Sequence, residues 1–134
     1  FALFEKKAHE MIASGTTVDQ LNAVYLDNLH DQFGEVVSVS DEFKWEWVSI
    51  PHIFATPFYV YAYTFGQLLV LSLYKKYKEE GKNFIPQYKQ ILSAGGSKSP
   101  EDILADAGFN FYDPAFWQGG FDFLTEKMME IERN

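Results

Sequence analysis

Pro51 to Tyr74 reads P-H-I-F-A-T-P-F-Y-V-Y-A-Y-T-F-G-Q-L-L-V-L-S-L-Y, a run without Asp, Glu, Lys or Arg between flanks crowded with charge. Thr56 can cap free amide groups and Pro57 suits a first helical position, so the spacing predicts a helix opening at Thr56-Pro57. From Phe58 the run is long enough for about five turns. On a helical period Tyr59, Tyr63 and Gly66 fall on one face, and Phe58, Tyr61, Phe65 and Leu69 largely on another. A helix apolar nearly all round is either buried or a membrane span. The run nearly has spanning length. Its tyrosines, however, are spread along the first half instead of gathering at two interfaces, and Pro57, Gly66 and Gln67 interrupt it. A core helix, with no membrane as partner, is the expectation.

Working outward, the chain has 134 residues, 47% of them hydrophobic and 18% aromatic. That suffices for a packed core and fits one domain, read as a single unit over 1–134. With 11 basic against 19 acidic residues the net charge is −8, and no basic cluster stands ready to neutralise phosphates. Nucleic acid is excluded as a partner on that ground. The absence of cysteine removes disulfides, thiolate catalysis and cysteine metal sites, and suits a cytoplasmic protein. The chain opens on Phe1 as though already inside a helix, which reads as part of a longer polypeptide.

Phe1, Phe4, Ala8, Met11 and Ile12 form a helical stripe that Ser14-Gly15 ends. Thr17-Val18-Asp19-Gln20 reads as a capping box opening a second helix, with Leu21, Val24, Tyr25, Leu29 and Phe33 as its apolar face and Gly34 as its stop. Between Val36 and Ser49, Phe43, Trp45 and Trp47 alternate with Lys44 and Glu46 over too short a span to separate an extended segment from a short helix. After the central run, Gly81, Gly95-Gly96 and Gly108 read as stops, and Ser99-Pro100 and Asp113-Pro114 as starts. On the last helix Trp117, Phe121, Leu124, Met128 and Ile131 step by four and three. Every boundary is a helix signal, so the fold class is all-α.

His9-Glu10 invites comparison with the zinc motif H-E-x-x-H, but Ala13 stands where the second histidine is needed. An exposed polar helix face is the plainer reading. Neither His30 nor the acidic pairs Asp41-Glu42, Glu79-Glu80 and Glu101-Asp102 specify carboxylate or metal chemistry. His52 differs, because it sits in the uncharged run just ahead of the tyrosines. From spacing alone, His52, Tyr59 and Tyr63 are either packing residues or hydrogen-bond donors into a cleft. A phenol that keeps its proton at neutral pH is a neutral donor suited to a developing oxyanion.

The residues I-P-H-I-F-A-T-P-F-Y-V-Y-A-Y-T-F-G resemble the I-P-H-F-Y-x-x-F-Y-V-Y-x-Y-A-T-G signature of oligoendopeptidase F, in the thimet oligopeptidase-like superfamily of zinc metallopeptidases. F-A-L-F-E-K-K-A-H-E resembles that family's F-x-x-F-E-x-x-x-H-E helix, and L-S-A-G-G-S-K-S-P-E-D-I-L-A-D-A-G its late L-x-A-G-G-S-x-x-P-x-x-L-L-x-x-A-G. The resemblance implies the helical C-terminal segment of a zincin-type catalytic domain that hydrolyses short peptides. It implies zinc in the full-length enzyme, with ligands outside this chain and none here, and the N-terminal remainder of the same polypeptide as partner. The family's substrate-binding and oxyanion-stabilising His and Tyr groups fall on His52 and Tyr59, with the second Tyr at Tyr63 or Tyr61. Helix geometry favours Tyr63, because Tyr61 would point about 160° away from Tyr59. Pro57 and Thr64-Phe65-Gly66 depart from the family pattern. The chain alone is expected to be inactive and to self-associate through apolar surface that the remainder covers. The rival reading is a stand-alone helical peptide-binding module without catalysis.

Overall fold

Residues four apart on a helix share a face, and on α1 (Ala2–Ala13) that face carries Phe4 and Ala8, both buried. The computed structural model describes residues 1–133. Its further elements are α2 (Val18–Phe33), a 3-10 segment over Asp41–Ser49, α3 (Pro51–Ala55), α4 (Tyr61–Glu80), a 3-10 turn over Gly81–Phe84, α5 (Ile85–Ala94), α6 (Pro100–Asp106) and α7 (Pro114–Glu132). No strand occurs among the described residues, so the chain is all-α. It divides into two compact units, Phe1–Tyr63 and one beginning at Thr64.

In the first unit Phe4, Ala8, Leu21, Tyr25, Leu29, Trp47, Ile53 and Val60 make one core. The Thr17 capping box forms as the sequence predicts. Gln20 N–H donates to Thr17 Oγ1 at 3.3 Å and Thr17 N–H to Gln20 Oε1 at 2.8 Å, satisfying two amides the first turn leaves free. The 3-10 segment is tied to α2 by two polar contacts. Tyr25 Oη donates to Glu46 at 2.6 Å, and Trp47 Nε1 donates to Asn22 Oδ1 at 2.8 Å. Burial pushes the Tyr25 phenol well above its ordinary range, helped by the hydrogen bond to Glu46 and that group's charge. The alternation of Phe43, Trp45 and Trp47 does not mark a strand. At three residues per turn those positions cannot share a face, and only Trp47 is buried.

The predicted helix start at Thr56-Pro57 is corrected. α3 ends at Ala55, and α4 begins only at Tyr61. Phe58 takes φ +64, a left-handed conformation that no α-helix continues through. Its N–H is accepted by Glu5 Oε1 at 2.7 Å, reaching across from α1, while Tyr59 N–H closes a turn onto the Thr56 carbonyl at 3.1 Å. A contact this distant in sequence outweighs the local cap signal.

In the second unit Leu73, Phe84, Ile103, Leu104 and Ala107 are buried. The ring of Phe65 lies 6.0 Å from that of Phe111 and 5.6 Å from that of Trp117. Ser99 and Asp113 cap α6 and α7, each ahead of a proline, accepting from Asp102 N–H at 3.2 Å and Ala115 N–H at 2.9 Å. Gly81 ends α4 at φ +61, where a side chain would be strained. The apolar stripe on α7 lies on a helix, as its spacing predicts, but is mostly uncovered. Trp117 is half-buried, but Phe121, Leu124, Met128 and Ile131 are exposed. Gly120 is the buried position on α7. A Cβ there would lie 2.7 Å from Leu68 Cδ1, 2.8 Å from Ser72 Oγ and 3.0 Å from the Leu68 carbonyl oxygen. Side chains can yield, but the carbonyl belongs to α4. Overpacking therefore outweighs the helix propensity that alanine adds, and Gly120→Ala should cost about 1–2 kcal/mol. A denaturant midpoint equal to or above that of the unsubstituted chain would contradict this close approach.

Candidate functional site

Proline at the first position of α3 places His52 in its opening turn, half-buried. Tyr59 sits in the connection between α3 and α4, and Tyr63 lies in the first turn of α4. The phase argument that grouped Tyr59 with Tyr63 assumed a helix that is absent at Tyr59, yet the three side chains meet. The Tyr59 ring stacks on the His52 imidazole, with centroids 5.4 Å apart and planes 16° apart. Tyr63 stands edge-on to both, at 5.7 Å from His52 and 5.9 Å from Tyr59. Tyr63 Oη and His52 Nε2 are 3.2 Å apart, a hydrogen bond whose donor is set by the imidazole tautomer.

The cluster is open to solvent, with Tyr59 45% and Tyr63 60% exposed. The Tyr59 hydroxyl has no hydrogen-bond partner among the described residues, so one phenol in the cluster is tied to the imidazole and the other is available to a ligand. Tyr61, the alternative second tyrosine, is exposed and makes no ring contact or hydrogen bond with the three. The arrangement offers a neutral O–H donor beside a second phenol whose orientation an imidazole fixes. Such a set can hydrogen-bond a carbonyl oxygen and strengthen that bond as negative charge grows on it.

Sequence reasoning missed three residues behind this cluster. Glu5 is 1% exposed and accepts the Phe58 N–H, and the half-buried His9 ring lies 4.5 Å from the Phe58 ring at 30°. His9 is therefore not part of an exposed polar face. A signal was present: Glu5 stands four residues after Phe1 and three before Ala8, inside the apolar stripe. The second unit has an apolar groove of about 300 Å³ lined by Leu73, Tyr74, Phe84 and Tyr88 among others. It has no imidazole or carboxyl group on its wall. Among the described residues no group of three or more His, Cys, Asp or Glu side chains could hold a metal ion, and no helix is long and apolar enough to cross a membrane.

The chain is a member of peptidase family M3, whose family model matches residues 1–123. It is 34% identical over 135 residues to an oligoendopeptidase F homolog of Borreliella burgdorferi, covering 99% of this chain and 23% of that protein. It is 32% identical over 134 residues to the oligopeptidase PepF of Bacillus subtilis, covering 98% of this chain and 20% of that one. The crystal structure of a Chlamydophila abortus protein assigned as a peptidase superposes with a TM-score of 0.81 at 29% identity, over 95% of this chain and 22% of that one. The chain thus spans about a fifth of the length of the relatives it matches.

Proposed function

We propose that this chain is the C-terminal part of the catalytic domain of a zinc-dependent oligoendopeptidase that hydrolyses short peptides, and that it supplies the donors that hold the scissile carbonyl. One observation carries the reading: the free Tyr59 hydroxyl stands beside the hydrogen-bonded Tyr63–His52 pair on an open surface. Membership of peptidase family M3 and likeness to oligoendopeptidases support it. In this reading Tyr59 Oη donates to the carbonyl oxygen as it becomes an oxyanion. Tyr63, accepting from His52 Nε2–H in the tautomer that leaves the phenol proton free, donates to the same oxygen or to the adjacent peptide backbone. Tyr61 takes no part. The zinc ligands would come from length that the relatives have beyond the segment matched here, and this chain alone would be inactive. The cysteine-free sequence fits the cytoplasm as its compartment.

The test is steady-state cleavage of a quenched fluorescent peptide by the full-length peptidase. Chelation should abolish turnover and added zinc restore it. Tyr63→Phe should lower kcat about five- to tenfold, the worth of one neutral hydrogen bond, and Tyr61→Phe should stay within about twofold. Peptide bound without cleavage would favour the binding module instead. A Tyr61→Phe loss exceeding that of Tyr63→Phe would assign the donors wrongly.

A further inference from the structure

The connection that presents Tyr59 is held from α1, through the residue just before it. Phe58 adopts φ +64, which an aromatic side chain disfavours, so something must hold it there. Two α1 side chains one turn apart do so. Glu5 Oε1 accepts the Phe58 N–H at 2.7 Å, and the His9 ring lies against the Phe58 ring at 4.5 Å. Glu5 is 1% exposed, and among the described residues the Phe58 amide is the one hydrogen-bond partner of its carboxyl group. A carboxyl group buried with so little compensation is poor use of a core position if stability were all it served. The next residue along is Tyr59, whose ring direction follows from the backbone at Phe58.

We propose that Glu5 and His9 are positioning residues: they clamp Phe58 in its left-handed conformation and thereby aim the Tyr59 hydroxyl for catalysis. The inference rests on the function proposed above, since it concerns the hydroxyl that reading uses. Without the clamp Phe58 relaxes towards the ordinary region, and the next peptide plane rotates. The Tyr59 ring then leaves the His52 face.

The measurement is kcat and KM of the full-length peptidase for Glu5→Ala, Glu5→Gln and His9→Ala, each alone and combined with Tyr59→Phe. Glu5→Ala should lower kcat about 30-fold or more with little change in KM, approaching the effect of losing an oxyanion donor. Glu5→Gln keeps a carbonyl acceptor and should stay within about threefold of the parent. His9→Ala, at a half-buried site, should lose about three- to tenfold. In the Tyr59→Phe background each of these effects should vanish, because no hydroxyl remains to be aimed. A merely structural role predicts the same fold-loss in both backgrounds, and that result overturns the clamp. So does kcat unchanged in both Glu5→Ala and His9→Ala. Should Glu5→Ala fail to fold, His9→Ala and Glu5→Gln decide by the same comparison. If instead Tyr59→Phe alone retains full turnover, the donor reading itself fails and the clamp falls with it. That outcome is distinct from those in which only the clamp fails.

Discussion

Tyr59→Phe in the full-length peptidase should lower kcat by about 10²–10³, the usual consequence of losing one oxyanion donor. The substitution removes a hydroxyl with no hydrogen-bond partner among the described residues and keeps the ring that stacks on His52 at 5.4 Å. Local packing therefore survives, and the loss reports chemistry and not collapse. KM should move by less than about threefold, because the hydrogen bond strengthens only as charge develops on the carbonyl oxygen. Zinc content and thermal midpoint, measured on the same preparation, should match the parent. Wild-type turnover would make the hydroxyl structural, and an equal rise in KM with kcat kept would make it a ground-state contact.

The largest stability effect should come from Tyr25, the fully buried side chain at the centre of the first unit. Its ring meets that of Phe4 edge-on at 4.8 Å, and its hydroxyl holds Glu46 of the 3-10 segment at 2.6 Å. Tyr25→Ala should cost about 3–5 kcal/mol, combining lost burial with the cavity left behind. Tyr25→Phe should cost about 1–2 kcal/mol, because it removes only the hydrogen bond. The phenol also carries a pH signature. Burial raises its folded-state pKa above the ordinary phenol value of about 10. Below about pH 10 both states keep the proton and the contribution is intact. Above it the unfolded chain releases a proton that the folded chain retains, so stability falls as pH rises. Alkaline unfolding monitored by circular dichroism should show a steeper loss for the parent than for Tyr25→Phe. Parallel curves would remove Tyr25 as the cause.

Local chemistry was legible where it acts within a few residues. The Thr17–Gln20 box, the Ser99-Pro100 and Asp113-Pro114 starts and the Gly81 stop lie where the sequence places them, because caps need only the next turn of backbone. The misplaced start of α4 has a different origin. Thr56-Pro57 is a sound local signal, but the Glu5 carboxyl group takes the Phe58 amide from 53 residues away, and no window along the chain contains that contact. Trp47 was indistinguishable from Trp45 for a similar reason, since its partners, among them the Asn22 side chain it donates to, lie on other elements. On α7 the step of four and three finds an amphipathic pattern without saying what would cover Phe121, Leu124, Met128 and Ile131. At the site, the sequence brought His52, Tyr59 and Tyr63 together, although the helix used to argue the pairing stops short of Tyr59. It gave no hint that α1 supports the turn, beyond a glutamate misplaced among apolar neighbours.

The central claim is that Tyr59 donates to the oxyanion, and comparing two ligands tests it most directly. A peptide analogue with a tetrahedral phosphinic group in place of the scissile amide resembles the transition state, whereas an uncleaved substrate peptide resembles the ground state. Dissociation constants for both are measured on the full-length peptidase and its Tyr59→Phe variant. The account predicts that the variant loses analogue affinity by about the same 10²–10³ factor as kcat/KM, while substrate affinity changes by less than about threefold. Equal weakening of the two ligands, or none in either, would contradict it.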